Sequence, residues 1–210
     1  MIKKYLKILI ITSVVILLPI VAGIALWNQL PDALPIHWNA AGEADGWGSK
    51  TLVIFGAPAL FLVLQWFAIF ITQADPKREN QSKKVRALSF WIIPVLSLAL
   101  PFVIYATALG MELLMGMVVP VLLGVFFVII GNYLPKCKQS YTVGIKLPWT
   151  LHSEENWNKT HRMAGWLWVA GGILMVVCGF LNLLWISLIP PLFMAILPVI
   201  YSYLLHRKGI

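Results

Sequence analysis

Charge is what this sequence has least of. Only 11% of its 210 residues are charged, where an ordinary soluble domain carries about 25%. Aspartate and glutamate together number eight. Six apolar segments, 8–27, 52–72, 88–109, 113–134, 163–181 and 183–204, have interiors without Asp, Glu, Lys or Arg. Runs of roughly 20 uncharged apolar residues exclude a soluble globular chain and fit helices that cross the hydrocarbon core. They also disfavour an ion pump or proton-coupled transporter, which carries ionisable groups at mid-membrane. Cysteine is nearly absent too. Cys137 and Cys178 are the only two, and they form neither a disulfide framework nor a zinc pattern. Cys178 falls inside a predicted span, and Cys137, between Lys136 and Lys138, reads as a surface cysteine.

What is there instead is apolar and aromatic: 60% hydrophobic residues and ten tryptophans. The predicted fold class is all-α, a polytopic transmembrane bundle of six spans. The first apolar stretch, Ile8 to Trp27, exceeds the ~7–15 residues of a signal-peptide core and reads as a span. The last two segments form one run about twice the length of a span, so it must fold back, with Gly179 and Asn182 marking the turn. A second tight turn is expected around Gly110 and Glu112. Residues 1–72 then read as a first helical hairpin with an outer loop at 28–51, and 73–210 as four further spans, with a signature region at 131–166.

Lysine and arginine set the orientation. Fifteen of the 16 basic residues, including Lys3, Lys4 and Lys7, lie on one side of the predicted topology, and only Lys50 lies on the other. The positive-inside rule places both termini in the cytoplasm. A net charge of +8 would suggest nucleic acid in a soluble protein. Here the cations flank apolar blocks, and the lipid bilayer is the partner they imply. Within the spans, Gln65 reads as a helix–helix hydrogen bond. Pro94, Pro101, Pro120, Pro190, Pro191 and Pro198 are expected to kink their helices. Gly165, Gly172 and Gly179 recur every seven residues and read as a close-packing stripe.

Two polar stretches interrupt the apolar blocks. The first is "KLPWTLHSEENWNKTHRMAGW", residues 146–166. Pro148 should end an extended segment. Ser153 is a plausible N-cap, with Glu154 and Glu155 in the first turn. Glu154, Trp157, His161 and Gly165 share a helix face, and Glu155 and Lys159 form an i,i+4 pair. One reading makes Glu154, His161 and Arg162 a polar site lined by Trp149 and Trp157. The other makes the stretch an interfacial elbow, with tryptophans at headgroup depth and Arg162 snorkelling. His152 and His161 lack the spacing of a helical zinc motif, and no nucleophile with an oriented base is visible. No catalytic residue, metal or cofactor is therefore assigned. The second stretch is "LPDALPIHWNAAGEADGWGSK", residues 30–50. It is locally acidic, and its prolines and glycines make it turn-rich rather than helical. It reads either as a rigid recognition loop or as a connector with aromatic anchors.

The loop "LPIHWNAAGEADGWGSK" after a first span, followed by "GNYLPK", "VGIKLPWTL" and "NWNKTHRMAGW" in that order, resembles the SdpI-like group of bacterial membrane proteins. Lys146 stands where that group is expected to prefer arginine, which keeps the charge but loses a planar fork. "KCKQSY" also lacks an asparagine expected before the glycine segment. The resemblance implies a bacterial cytoplasmic-membrane protein, not an enzyme, that confers immunity to a secreted peptide toxin. It also implies signalling, by holding a cytoplasmic repressor at the membrane, with no direct nucleic-acid contact. The candidate toxin-facing residues are His37, Trp38, Asn39, Asp45 and Trp47. The candidate cytoplasmic residues are Asn132, Pro148, Trp149, Thr150, Trp157, Thr160, His161 and Arg162. A membrane enzyme using the His161 cluster and a small-molecule transporter are the alternatives.

Overall fold

Six helices of the computed structural model, which describes residues 5–39 and 41–210, are long and apolar enough to cross a membrane. The chain is a multi-pass membrane protein. The six are α1 (Leu6–Ala25), α2 (Ala57–Ala74), α3 (Lys83–Ala108), α4 (Met115–Tyr133), α6 (Glu154–Phe180) and α8 (Ile189–Arg207). Two short helices, α5 (Pro148–His152) and α7 (Leu184–Ser187), precede the last two spans. A π-helical turn, Leu52–Gly56, leads into α2. The expected cations Lys3 and Lys4 lie outside the described residues. The polar stretch and the fifth span share one 27-residue helix, α6. At 1.5 Å per residue it is about 40 Å long, against about 30 Å of hydrocarbon, so its polar first turns extend beyond the apolar layer. The expected turn after α6 is present, with Asn182 in the left-handed region at φ 54°.

Between α1 and α2 the expected loop is an antiparallel hairpin, β1 (Ala33–Trp38) and β2 (Ala44–Ser49). Its prolines and glycines conceal the strands in the sequence. Pro35 pairs opposite Trp47, and the register shifts before His37, which pairs opposite Gly46. β1 has one residue more than β2 before His37, and β2 has one more than β1 after it, between His37 and Trp38, the signature of two compensating bulges. The sheet is small, and the fold remains helical.

The chain divides into two compact units. In the first, Met1–Gln73 with Ala87–Met115, Pro94 lies inside α3. Proline has no N–H, so the carbonyl four residues earlier, that of Phe90, loses its helical donor. Such a group is costly where no water can reach it. Gln65 of α2, fully buried, donates its Nε2–H to Phe90 O at 2.9 Å and lies 3.4 Å from Thr12 Oγ1 of α1. The expected helix–helix role of Gln65 is therefore a repair of a backbone defect. The Tyr105 hydroxyl donates to Pro19 O of α1 at 3.3 Å.

The second unit, Ala74–Arg86 with Gly116–Ile210, repeats the device. Pro198 inside α8 removes the donor from Met194 O, and Trp168 Nε1 of α6 donates to that carbonyl at 3.1 Å. The glycine stripe of α6 lies against α4. A Cβ on Gly172 would come within 2.5 Å of Gly124 O, and one on Gly124 within 2.5 Å of Gly172 O. Gly165 and Gly131 make the same reciprocal approach at 2.9 Å. Backbones this close gain dispersion contact in a medium where hydrophobic burial supplies no drive. Pro190 and Pro191 do not kink a span, contrary to expectation. They occupy the first turn of α8, where their missing N–H groups would have been unpaired in any case.

Replacing Gln65 by leucine should destabilise the detergent-solubilised protein by about 1 kcal/mol, the scale of a buried interhelical hydrogen bond. In a Pro94→Ala background, where the introduced alanine supplies a backbone N–H to Phe90 O, the same replacement should cost measurably less. Unfolding titrations of the four proteins in this cycle test the coupling, and additive effects would contradict it.

Candidate functional site

The 146–166 stretch is organised by backbone groups that need partners. Leu147 is extended (φ −119°, ψ 154°) before Pro148, which opens the short helix α5. Thr150, fully buried, accepts from Leu147 N–H at 2.9 Å and donates to Ile145 O at 2.9 Å. Ser153 caps α6 as expected, its Oγ accepting from Asn156 N–H at 3.1 Å. The Glu155–Lys159 pair forms at 2.7 Å on the exposed side.

His161 is buried, and both ring nitrogens are engaged by main chain. Nε2 accepts from Ile145 N–H at 2.8 Å, and Nδ1 lies 2.8 Å from Trp157 O. A nitrogen that accepts from N–H carries no proton, so the ring is neutral with its proton on Nδ1, donated to Trp157 O. The imidazole stacks on the Trp157 indole at 4.0 Å between centroids, and Trp157 Nε1 donates to Cys137 O at 2.8 Å. Gly144, at φ 117°, passes over this stack. A Cβ there would lie 2.6 Å from His161 Nε2 and 2.7 Å from the indole. Glu154 and Arg162 are exposed while His161 and Trp157 are buried. The structure does not bring Glu154, His161 and Arg162 together as one polar site.

The remaining signature residues divide the same way. Asn156, fully buried, donates to Ser202 O of α8 at 2.9 Å and accepts from Thr160 Oγ1 at 3.1 Å and Ser202 Oγ at 2.6 Å. Asn156 and Thr160 thus tie α6 to α8. Trp149 stacks on His206 and meets the edge of Tyr203. Pro148 and Asn132 are exposed, Asn132 accepting from Lys136 Nζ at 3.5 Å.

Sequence reasoning missed Asp75. It follows α2 directly, is buried, and holds a loop 65 residues further on. Its Oδ2 accepts from Ser140 Oγ at 2.6 Å, Tyr141 N–H at 2.9 Å, Thr142 N–H at 3.1 Å and Thr142 Oγ1 at 2.8 Å. Its Oδ1 accepts from Lys77 N–H at 2.7 Å. Burial alone would raise the carboxyl pKa. Ser140, the Lys77 amide, Thr142 and the Tyr141 amide outweigh it and hold the pKa below its ordinary 3.8. A depressed folded pKa means that this contribution to stability is fully present above 3.8 and is lost as pH falls through the lower folded value. Lys77 Nζ donates to Gln139, whose own Nε2 donates to Thr150 O and Leu151 O, both at 2.9 Å. Gln81 Nε2 donates to Lys138 O at 2.9 Å. The segment after α2 is therefore fastened to the loop after α4. The only sequence signal was an Asp-Pro pair ending an apolar run, which marks a turn but names no distant partner.

On the hairpin, His37 and Asp45 pair at 2.5 Å, and both are exposed. Asn39 Oδ1 accepts from Ala41 N–H at 2.9 Å and Glu43 N–H at 3.1 Å, which shapes the turn. Trp38 is half-buried, opposite Ala44, and Trp47 is exposed. Beneath the strands, Leu30, Leu34, Val53, Ile54 and Tyr105 form a buried cluster. Lys50 Nζ donates to Trp27 O at 3.2 Å and Leu30 O at 3.1 Å, and pairs with Asp32 at 3.2 Å.

Cys137 is buried rather than on the surface as expected, and burial pushes its thiol up to about 11. Because the thiolate is the reactive form, wild-type Cys137 should alkylate slowly at about pH 8. In a Cys178→Ser background, Asp75→Asn should loosen the 137–142 loop and raise the alkylation rate of Cys137 by roughly tenfold or more, through greater exposure. An unchanged rate would show that Asp75 does not hold the loop.

The chain matches two family models: the SdpI/YfhL protein family over residues 136–202, and a domain of unknown function (DUF1648) over residues 14–62. It is 25% identical over 202 residues to the Immunity protein SdpI of Bacillus subtilis (strain 168), covering 95% of this chain and 96% of that protein. No solved structure matches it. The first match takes in the His161 stack and the Asn156 network, the second the hairpin, and the similarity to the immunity protein runs almost end to end. The chain is thus similar to the SdpI-like family, by the family model over residues 136–202 and by the immunity protein over 95% of its length.

Proposed function

We propose that this protein is an integral membrane immunity protein that protects its host against a secreted peptide toxin. The observation that carries this is the near end-to-end similarity to a protein named for immunity. The uncharged span interiors support it over a proton-coupled transporter. The neutral, doubly engaged His161 supports it over acid–base catalysis at that residue, which needs a ring nitrogen free to exchange a proton.

In this reading both termini face the cytoplasm, because six spans put the termini and the loops after α2 and α4 on one side, and those segments carry nearly all the lysine and arginine. The hairpin then faces outward, where a secreted toxin arrives, and His37, Trp38, Asn39, Asp45 and Trp47 are its candidate contacts. The loops facing inward would hold a cytoplasmic repressor, with Tyr141, Lys146 and Arg162 among their exposed groups.

Cells sensitive to the toxin should survive it when they express the wild-type chain, and unaltered killing at normal membrane abundance would refute the immunity reading. Arg162→Gln should reduce repressor capture while leaving protection intact. With both native cysteines buried, Asn39→Cys should react with an impermeant thiol reagent in intact cells and Ser82→Cys should not. The reverse labelling would invert the orientation.

A further inference from the structure

The hairpin presents apolar and acidic groups together on a rigid support. Trp47 and Ile36 are 59% and 47% exposed. Ile36 lies with Val53 on the Cβ side of Gly48, so Trp47 stands on the other face. Asp32, whose side chain is fully exposed, Glu43 and Asp45 are exposed on the same hairpin and its approach. The support is fixed by the buried cluster under the strands, by the Asn39 turn and by Gly46, where a Cβ would come within 2.8 Å of His37 Cβ. A surface that is ordered before binding loses little conformational entropy on association.

The alternative occupant of such a face is lipid. Segments that rest on a bilayer combine tryptophan with lysine or arginine, which meet the phosphates. Residues 28–51 contain no arginine and one lysine, Lys50. The Lys50 side chain is 11% exposed and is already committed to two carbonyls, to Asp32 and to the Trp27 ring at 4.8 Å. The exposed charges are carboxylates, which anionic headgroups repel. Acidic groups around exposed apolar side chains complement a cation that carries its own apolar groups.

We propose that the exposed surface of the β1–β2 hairpin around Trp47 is a docking surface for a cationic, amphipathic peptide, with Trp47 taking its apolar side chains and Asp32, Glu43 and Asp45 its lysines or arginines. This deepens the immunity reading and rests on it, by giving the chemistry of the toxin segment that the protein meets first.

The test uses the full-length protein in nanodiscs of zwitterionic phosphatidylcholine. The probe is a fluorescent peptide of alternating lysine and leucine, with an alternating glutamate and leucine peptide as control. The lysine peptide should bind protein-loaded discs more tightly than empty ones, and added salt should weaken it. Trp47→Ser should weaken binding roughly tenfold, as expected of an aromatic anchor. Glu43→Gln with Asp45→Asn should also weaken it and flatten the salt dependence. Asp32→Asn, at a fully exposed side chain whose amide oxygen still offers Lys50 an acceptor, guards against misfolding and should reduce binding with an unfolding midpoint close to that of wild type. Equal binding to empty discs, equal binding of the glutamate peptide, or variants that bind like wild type would overturn the proposal. Cell protection is read separately. Protection by wild type, retained in variants that bind the probe unchanged, sinks this surface and spares the immunity reading. Probe binding as expected without protection by wild type supports the surface and sinks the immunity reading.

Discussion

A backbone carbonyl in hydrocarbon has no water to turn to, and much of this structure follows from that constraint. Prolines inside the spans strip donors from the carbonyls of Phe90 and Met194. Side chains from other helices restore them, Gln65 to the first and Trp168 to the second. Each repair fixes the rotation of two helices, because an N–H must point at one oxygen. The glycines of α4 and α6 act on helix packing by another route, letting backbones touch where a single methyl group would separate them. The Gln65 amide N–H and the Trp168 indole N–H are thus turned to internal carbonyls, and no charge stands in any span interior.

The same rule governs the polar stretch that looked most like an active site. His161, Trp157, Thr150 and Asn156 each have hydrogen-bonding groups turned inward, to main chain or to one another. Asp75 does for the loop after α4 what Gln65 does for Phe90, collecting amides and hydroxyls that would otherwise be unpaired. What this leaves exposed includes Lys83 and Lys84 at the start of α3, Lys138, Tyr141 and Lys146 in the loop after α4, Arg162 in α6, and the acidic, tryptophan-bearing hairpin between α1 and α2. Signature residues that shape the protein and the surface residues proposed above as partner contacts are largely different residues.

The spans were legible because uncharged runs of this length have one physical meaning, and the turn at Asn182 because a fold-back was forced. The N-cap at Ser153, the Glu155–Lys159 pair and the glycine stripe were legible because they depend on local spacing. The hairpin was hidden, since Pro35, Gly46 and Gly48 depress strand propensity even where pairing occurs. Asp75 was hidden because its partners are remote in sequence. The burial of His161 and Cys137 was hidden because polar neighbours in sequence are not neighbours in space. His161 lies against Gly144 and Ile145, and Cys137 against Trp157.

The proposed division of labour between an outward hairpin and an inward-turned signature can be measured directly. A photo-crosslinking amino acid is placed at Trp47 in one strain and at Tyr141 in another, and intact cells are irradiated during exposure to the toxin. The expected result is a toxin-sized adduct from position 47 and none from position 141. Toxin adducts from 141 alone, or only lipid adducts from 47, would contradict the division.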